Sequence, residues 1–437
     1  MEKPLGQPVD GAEALRPGGG WKAWRSYPGL RWVLAIVVGA AVATGFGVAT
    51  LWPTQEGVEA ATASADEIGL VTDRFGATVE EIRDGPCSYS SADNPNACRQ
   101  VTVVLDEGPA RGSLVALPEL DLAFTATTPS LRVGQKVIIG YEPSTDFYFY
   151  ADNDRRTPLA WLGALFAVFV IALGRRRGVL ALVGMAGTLV VLLAFMAPSI
   201  LDGNDPLLVS VVAASGIAFV SLYLVHGFSP ITTVALAGTL SSLGLTLGLS
   251  WAFFEWAAFT GLASEEGLVL PLIAGGLDVS SLILGGAVIG ALGALDDITV
   301  TQAALVAELR YRNPGLGVYE LVSSGIRVGR EHIASTVNTL LLAYAGAAIP
   351  LLMLFVVSDQ SLVMVANSEL VAVVIVRTLC GSMGLVAAVP ITTILAALVS
   401  SGPGRPEGTF APTTPDSPNP NSTAHRTAGS NERAPGE

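Results

Sequence analysis

Two adjacent carboxylates near the middle of the chain are the residues whose position most favours chemistry. A long, glycine-rich apolar run begins at Gly275, and Asp296 and Asp297 stand where its apolar part gives way to charge. Acidic side chains at such a point are costly unless water, a cation or a neighbouring helix attends them. Helical spacing would place Asp297, Thr301 and Glu308 on one face. We therefore expect Asp296 and this face to line the path of a cation, a proton or another small substrate.

A structural alternative exists for the same residues. Asp297 would then cap a helix that begins at Ile298 at the membrane surface, and the threonines after it would only contact water. On either interpretation, Glu308 can form an ion pair with Arg312 one helical turn later.

Asp278, at the start of the apolar run, also has two interpretations. It follows Gly275, Gly276 and Leu277 and precedes a helical pattern, which is typical of a helix N-cap. We also include it among the residues of the path, because the final apolar run contains one basic residue, Arg377. A charge at bilayer depth costs roughly 2.5–3.5 kcal/mol on insertion scales, so a partner is expected. Depth along the helices favours Asp278 or Glu255, and the alternative is that Arg377 extends outward to water.

Three glycines give the central run a smooth face. Gly286, Gly290 and Gly293 are spaced so that they lie along one side of a helix. Small residues on one side allow another helix to approach closely inside a membrane. We therefore predict a helix-packing surface at these positions.

Composition excludes several classes of protein. Of the 437 residues, 51% are hydrophobic and only 14% are charged, whereas soluble domains contain about 25% charged residues. The net charge of −13 argues against a nucleic-acid partner, because such proteins carry basic patches. The sequence contains no GxxxxGK[ST] and no HExxH motif, so we expect neither an ATPase nor a zinc enzyme, and we predict no cofactor and no metal. Without a nucleophile–base pattern at helical spacing, the chain is not expected to be an enzyme.

Two of the three cysteines lie in a polar, turn-rich segment. Cys87 and Cys98 are eleven residues apart, which favours a disulfide on an oxidising side of a membrane. The alternative is a pair of free thiols.

Changes in composition divide the chain into five parts. Residues 1–30 and 401–437 have the composition of disordered tails. Residues 31–52 are long enough to span a bilayer, residues 53–156 are polar and turn-rich, and residues 157–400 form a membrane domain. Within that domain, residues 297–331 are predicted to form an amphipathic segment at the cytoplasmic surface.

The polar part, residues 53–156, is predicted to be a small β-rich domain. Short β-type runs are separated by turn signals, and they are predicted at residues 78–82, 100–105, 122–126 and 136–141. Several short strands of this kind are typical of a small barrel or sandwich, and the pattern around Gly134 suggests an OB-like barrel.

The predicted fold is therefore a polytopic α-helical membrane protein of about eight spans, with the β-rich domain between the first and second. The spans after that domain are predicted at about 158–174, 178–197, 207–226, 230–256, 278–296, 333–357 and 370–399. Positive charge is concentrated in alternate loops, which the positive-inside rule assigns to the cytoplasm. The residues concerned are Lys22, Arg25, Arg31, Arg175, Arg176, Arg177, Arg310, Arg312, Arg327 and Arg330. Both termini are therefore expected in the cytoplasm.

The sequence GGAVIGALGALDDITVTQAALVAELR, together with the later RTLCGSMGLVAAVPITT, resembles the YibE/F-like family of bacterial multi-pass membrane proteins. The resemblance covers roughly residues 157–400. It implies a protein of the bacterial cytoplasmic membrane that is often regarded as a permease, and it implies no particular substrate.

Two functions remain open on the sequence. The first is a transporter or permease without its own ATPase, which moves a cation or small molecule past the acidic residues. The second is a non-transporting scaffold or assembly factor whose exported domain binds an envelope protein. The partners expected are the lipid bilayer and one of these ligands; the sequence leaves the oligomeric state open.

Overall fold

A computed structural model describes residues 29–90, 96–124, 129–143, 145–357 and 361–400. The predicted disordered tails lie outside this part of the chain, apart from residues 29 and 30. The end of the strand predicted at 122–126 also lies outside it.

Long helices dominate the described chain. Their bounds are α1 Leu30–Thr50, α2 Gln55–Glu67, α3 Arg156–Leu201, α4 Pro206–His226, α5 Pro230–Trp256, α6 Glu265–Ile273, α7 Val279–Arg312, α8 Val318–Ala347, α9 Ile349–Val357, α10 Leu362–Asn367 and α11 Glu369–Ser400. Within the described residues, α1, α3, α4, α5, α7 and α11 are each long and apolar enough to cross a membrane. Helices α8 and α9 pass the same test only as a pair, and a 60° bend separates them. The chain is therefore built as a polytopic membrane protein.

Helix α3 does not run straight through its length. Arg175 has the non-helical angles φ 50° and ψ −127°, and a Cβ added at Gly178 would overlap the carbonyl oxygen of Val170. Residues eight apart in a straight helix are separated by about 12 Å along the axis. The backbone therefore turns sharply at Arg175, between the two spans predicted at 158–174 and 178–197.

Side-chain caps fix the starts of three membrane helices. Asp205 accepts a hydrogen bond from the Leu208 amide at the start of α4, and Ser229 accepts one from the Thr232 amide at the start of α5. Asp278 does the same for Ser281 at the start of α7. These bonds satisfy amide groups that have no partner inside the helix.

Helices α5, α7 and α11 form the centre of the bundle, and α4 packs on the other side of α7. Glycines permit the close approach. A Cβ on Gly238 of α5 would overlap Thr392 Oγ1 of α11, and a Cβ on Gly384 of α11 would overlap Thr246 Oγ1 of α5. Helix α5 runs antiparallel to α7 and α11. Small residues at the contacts between the three helices let their backbones approach closely.

The β-domain, residues 73–153, is one antiparallel sheet. Its strands are β1 Asp73–Pro86, β2 Ala97–Leu105, β3 Leu114–Ala116, β4 Leu120–Asp121, β5 Lys136–Glu142 and β6 Phe147–Asn153. The strand order is β3-β2-β1-β5-β6, and β4 also pairs with β2. A β-rich domain was predicted, and strands are present at three of the four predicted positions. The sequence prediction missed β3, β4, β6 and helix α2, and residues 122–124, predicted as part of a strand, form a short 3-10 helix instead.

The Cys87–Cys98 disulfide is present, with a Cα–Cα distance of 4.8 Å, and it closes the hairpin between β1 and β2. The pairing register of β1 and β2 explains the position of the disulfide, because Cys98 of β2 lies opposite Gly85 of β1. Cys87 then follows directly after β1, at the end of the same ladder.

Two polar junctions tie the segment between α1 and α3 to the membrane helices. At the start of α3, Arg156 pairs with Glu107 at 2.9 Å and with Asp154 at 2.9 Å. The Gly76 amide and Arg156 lower the pKa of Glu107, and Arg156 lowers the pKa of Asp154. These groups hold the sheet at the head of α3.

The second junction lies after α3. Asp202 accepts 2.8 Å hydrogen bonds from the amide and the hydroxyl of Thr54, the N-cap residue of α2. We refer to this end of the bundle as the β-domain side, and to the other end, where α5 begins, as the opposite side.

Candidate functional site

The two adjacent aspartates point in different directions. Successive residues of a helix are rotated by about 100°, so neighbours cannot share a face. Asp297 is exposed, as are Thr301 and Glu308, so the predicted stripe exists but lies on the outer face of α7. Glu308 forms the predicted ion pair with Arg312, at 2.6 Å. Asp296 is partly buried, and its Oδ1 atom is fully buried.

Asp296 lies against hydroxyl groups and has no basic partner. The Thr239 side chain of α5 is close to its carboxyl group, and Thr239 Oγ1 lies 2.6 Å from Thr299 Oγ1. Within the described residues, Asp296 Oδ1 has no hydrogen-bond partner and neither aspartate takes part in a salt bridge. An acidic side chain is therefore held inside the bundle without a compensating charge.

Depth along the neighbouring helices shows that Asp296 is not at a bundle surface. Thr239 lies nine residues into α5, which is about 13 Å from its end at Pro230. The sequence analysis placed Asp296 where the helix leaves the bilayer. Helix α7 continues for 16 residues beyond Asp296, to Arg312, so the carboxylate lies within the bundle and not at the end of its helix.

Further buried polar atoms follow the same contact between α5, α7 and α11. Six side-chain atoms in the described part of the chain are buried and have no hydrogen-bond partner. They are Ser242 Oγ, Ser250 Oγ, Asp296 Oδ1, Arg377 Nε, Ser382 Oγ and Thr392 Oγ1. We call this set, with the hydroxyls of Thr239, Thr246 and Thr299, the polar seam. From Arg377 to Thr392 it covers 15 residues of α11, or about 22 Å, which is most of the roughly 30 Å thickness of a bilayer core.

One fully bonded group closes the seam towards α8. Gln302 of α7 is buried, and its Nε2 atom donates to the Gly325 carbonyl at 2.8 Å and to Thr393 Oγ1 at 2.7 Å. Gly325 and Gly329 let α8 reach this amide, since a Cβ at Gly329 would lie 3.0 Å from Gln302 Oε1. The first half of α8 was predicted to lie amphipathically at the membrane surface. Its Leu321, Gly325 and Gly329 are in fact buried against the bundle.

The predicted ion pair of Arg377 is not formed. Arg377 Nη2 donates to the Ile283 carbonyl of α7 at 3.0 Å, and the described residues contain no salt bridge between Arg377 and Asp278 or Glu255. Asp278 instead accepts hydrogen bonds from the Ser281 amide and hydroxyl, as the N-cap alternative predicted. The arginine is solvated by a backbone carbonyl because the side chain crosses the open glycine face of α7 rather than extending to its end.

The glycines of α7 serve a different purpose from the one predicted. Gly286 and Gly290 are exposed and face the Arg377 guanidinium and the Tyr344 hydroxyl, and a Cβ at Gly293 would meet nothing within 4 Å. Close helix contact occurs instead at the neighbouring Gly285, where a Cβ would overlap Ser210 Oγ of α4. Of the predicted glycines, Gly290 approaches α8 and Gly286 approaches Arg377 of α11, whereas the contact with α4 is made by Gly285.

Asp278 lies far from Asp296. Eighteen residues of α7 separate them, about 27 Å. Asp278 lines an open cavity of about 560 Å³ on the β-domain side, together with Asp202, Asp205 and the α2 residues Gly57 and Ser64. The structure does not bring the two predicted acidic sites together.

Apolar side chains cover the β-domain end of the seam. Phe254, Leu284 and Val373 form a buried cluster at this level, and the rings of Phe254 and Phe259 meet edge to face at 4.9 Å. Apolar packing therefore separates the seam from this end of the bundle at the level of Phe254.

The seam residues of α5 had a recognisable signal that the sequence analysis did not use. Thr239, Ser242, Thr246 and Ser250 recur at intervals of three and four residues, which places them on one helix face. A polar stripe inside an apolar span indicates a face directed towards the bundle interior.

Comparison with known proteins gives one match. The model of the YibE/F-like protein family matches residues 162–402, more than half of the 437-residue chain. The matched region contains α4 to α11 and nearly all of α3, and therefore every residue of the seam. No curated protein and no solved structure matches the chain. On the strength of the family match, the chain belongs to the YibE/F-like family.

Proposed function

We propose that the protein is a membrane transporter without its own ATPase, and that its substrate passes along the polar seam between α5, α7 and α11. The single observation that carries this proposal is the set of six buried polar atoms without partners along that seam. Buried polar groups are normally hydrogen-bonded, and each exception calls for an explanation. A path that admits water or a polar substrate during part of a cycle supplies those partners.

The arrangement of helices supports this proposal over a purely structural role. Small residues at the seam, such as Gly238 and Gly384, bring the hydroxyl groups of α5 and α11 close together along the proposed path. Proline at position 390 of α11 and the π-helical turn Val191–Met196 of α3 weaken the backbone bonding of helices in this bundle. The apolar cluster at Phe254 then acts as the closed gate on the β-domain side.

The topology proposed with this function has eight spans. It counts α3 as two spans that meet at the turn at Arg175, and α8 with α9 as one broken span. Both termini then lie in the cytoplasm of a bacterial cell, and the β-domain lies outside the cytoplasmic membrane, where its disulfide is chemically favoured. In the described sheet the strand order is linear, and its edge strands β3 and β6 do not pair with each other as a closed barrel would require. An OB-like barrel therefore stays a prediction.

Cysteine accessibility tests the path without knowledge of the substrate. In a Cys380→Ala background, Ser242→Cys and Ser382→Cys place thiols in the seam, and Ala214→Cys places a control thiol in the buried core of α4. Membrane vesicles of known orientation are treated with a charged, water-soluble thiol reagent on one face or the other. We expect both seam thiols to react, each from at least one face, and the control thiol to stay unreactive. Seam thiols as inert as the control thiol would overturn the proposal.

The scaffold alternative is favoured by one feature of the β-domain. Strands β3 and β6 have no further partner on their outer edges in the described sheet, and Phe147 at the start of β6 is 49% exposed. Open edges with aromatic residues can pair with a strand of another protein. If this function is correct, seam substitutions are tolerated in cells, whereas charged substitutions along β6 abolish function.

A further inference from the structure

Two threonine hydroxyl groups lie beside Asp296, and one oxygen of its carboxyl group is left without a partner in the described part of the chain. Thr239 Oγ1 is within reach of the Ala235 carbonyl at 3.1 Å and of Thr299 Oγ1 at 2.6 Å. Thr299 Oγ1 is also within 3.2 Å of the Asp296 carbonyl. Each hydroxyl donates only one proton, and Thr239 is the hydroxyl that lies close to the Asp296 carboxyl group. Within the described residues, the buried Asp296 Oδ1 has no hydrogen-bond partner.

Charge around Asp296 does not compensate the carboxylate either. Helices α4, α5, α8 and α11 pack against α7. Tyr344 and Arg377 lie against α7 at Gly290 and Gly286, Cys380 is buried in α11, and Tyr223 of α4 bonds to Thr233. Arg377 bonds to Ile283, thirteen residues from Asp296 and so about 20 Å away along α7. The remaining neighbour, Asp297, carries the same sign of charge and is exposed.

We propose that Asp296, with the hydroxyl oxygens of Thr239 and Thr299, binds one monovalent cation, either a proton or Na⁺. A carboxylate oxygen that is buried without a partner is costly to keep ionised, and a bound cation removes that cost. A single carboxylate supplies one negative charge, which matches a monovalent ion. The described residues contain no group of three His, Cys, Asp or Glu side chains that could hold a multivalent metal.

This inference deepens the proposed function, because it identifies the class of ion whose binding and release would drive movement along the seam. The cation would join α5 to α7 at Thr239, which stabilises the closed packing of those two helices. Its release would leave a bare carboxylate that requires water, and so favours an opened seam.

Binding is tested on the purified full-length protein in lipid nanodiscs, without any transport assay. The probe for Na⁺ is radioactive ²²Na⁺ at constant ionic strength, with choline as the replacement cation. The probe for a proton is the infrared carbonyl band of a protonated carboxylic acid at pH 7. We expect either about one Na⁺ per chain or one protonated carboxyl group.

Two matched variants assign the signal to its residue. Asp296→Asn should abolish it, whereas Asp297→Asn, which changes the adjacent exposed carboxylate, should leave it unchanged within twofold. Thr239→Val retains the carboxylate and should weaken Na⁺ binding at least tenfold, or shift the infrared band if the ion is a proton. This variant keeps the test valid if Asp296→Asn fails to fold.

The proposal is overturned if wild-type protein shows neither signal, or if Asp297→Asn removes the signal and Asp296→Asn does not. Its failure is distinguishable from failure of the transport proposal. The cysteine experiment reports water access to the seam without any ion, whereas the binding experiment reports an ion site without any movement.

Discussion

Replacement of Gln302 by leucine is the sharpest test of how the bundle is held together. Gln302 is 3% exposed and makes two interhelical hydrogen bonds, to Gly325 and Thr393. Leucine has a similar volume, so the substitution removes the hydrogen bonds while leaving little cavity. The effect on stability therefore measures the polar contact more than the packing.

The magnitude follows from the number of bonds. Interhelical hydrogen bonds in membrane proteins contribute about 0.6 kcal/mol on average and up to about 1.7 kcal/mol. Two bonds therefore predict that Gln302→Leu lowers the free energy of unfolding by about 1–3 kcal/mol. The Gly325 carbonyl retains its bond within α8, so we expect the lower half of this range.

The assay is reversible unfolding of the purified full-length protein in mixed micelles with increasing mole fraction of SDS. Thr301→Val is the matched control, because Thr301 is exposed on the same helix, and surface changes of this kind stay within about 0.5 kcal/mol. In the double variant with Thr393→Val, the two effects should be non-additive by roughly 0.6 kcal/mol, because the residues share one bond. Loss of less than about 0.5 kcal/mol in Gln302→Leu, or strict additivity, would refute the reasoning.

Two further predictions concern packing and pH. Gly384→Ala places a methyl group on Thr246 Oγ1 and should destabilise the bundle by about 1–3 kcal/mol through overpacking, measured in the same SDS assay; wild-type stability would show that α5 and α11 pack less closely than described. The lowered pKa of Glu107 means that the folded state holds it ionised, between the Gly76 amide and Arg156. The stability that ionised Glu107 contributes is therefore fully present above the ordinary glutamate pKa of about 4.3. It is lost as the pH falls through the lower pKa that Glu107 has in the folded state. Hydrogen exchange at the Gly76 amide should accelerate at that acidic pH relative to a Glu107→Gln variant, in which the exchange should not show this transition; identical pH profiles would contradict the assignment.

The sequence predicted those features that depend on residues close together in the chain. The membrane class and the positions of most spans follow from apolar length, which each helix satisfies by itself. The Asp278 cap, the Glu308–Arg312 pair and the Cys87–Cys98 disulfide involve residues within a turn or a hairpin, so spacing was sufficient to suggest them.

The tertiary structure alone decided which face of each helix is buried. The face of α7 that carries Gly286, Gly290 and Gly293 looked suited to close backbone packing, yet it meets only the ends of the Arg377 and Tyr344 side chains, and α4 packs closely at Gly285 instead. The two adjacent aspartates point about 100° apart around the helix, and the position of α5 decides that Asp296 is the internal one and Asp297 the exposed one. Arg377 likewise donates a hydrogen bond to a backbone carbonyl and not to a carboxylate. Its partner depends on how α7 and α11 are placed against each other, and spacing along the chain does not contain that information.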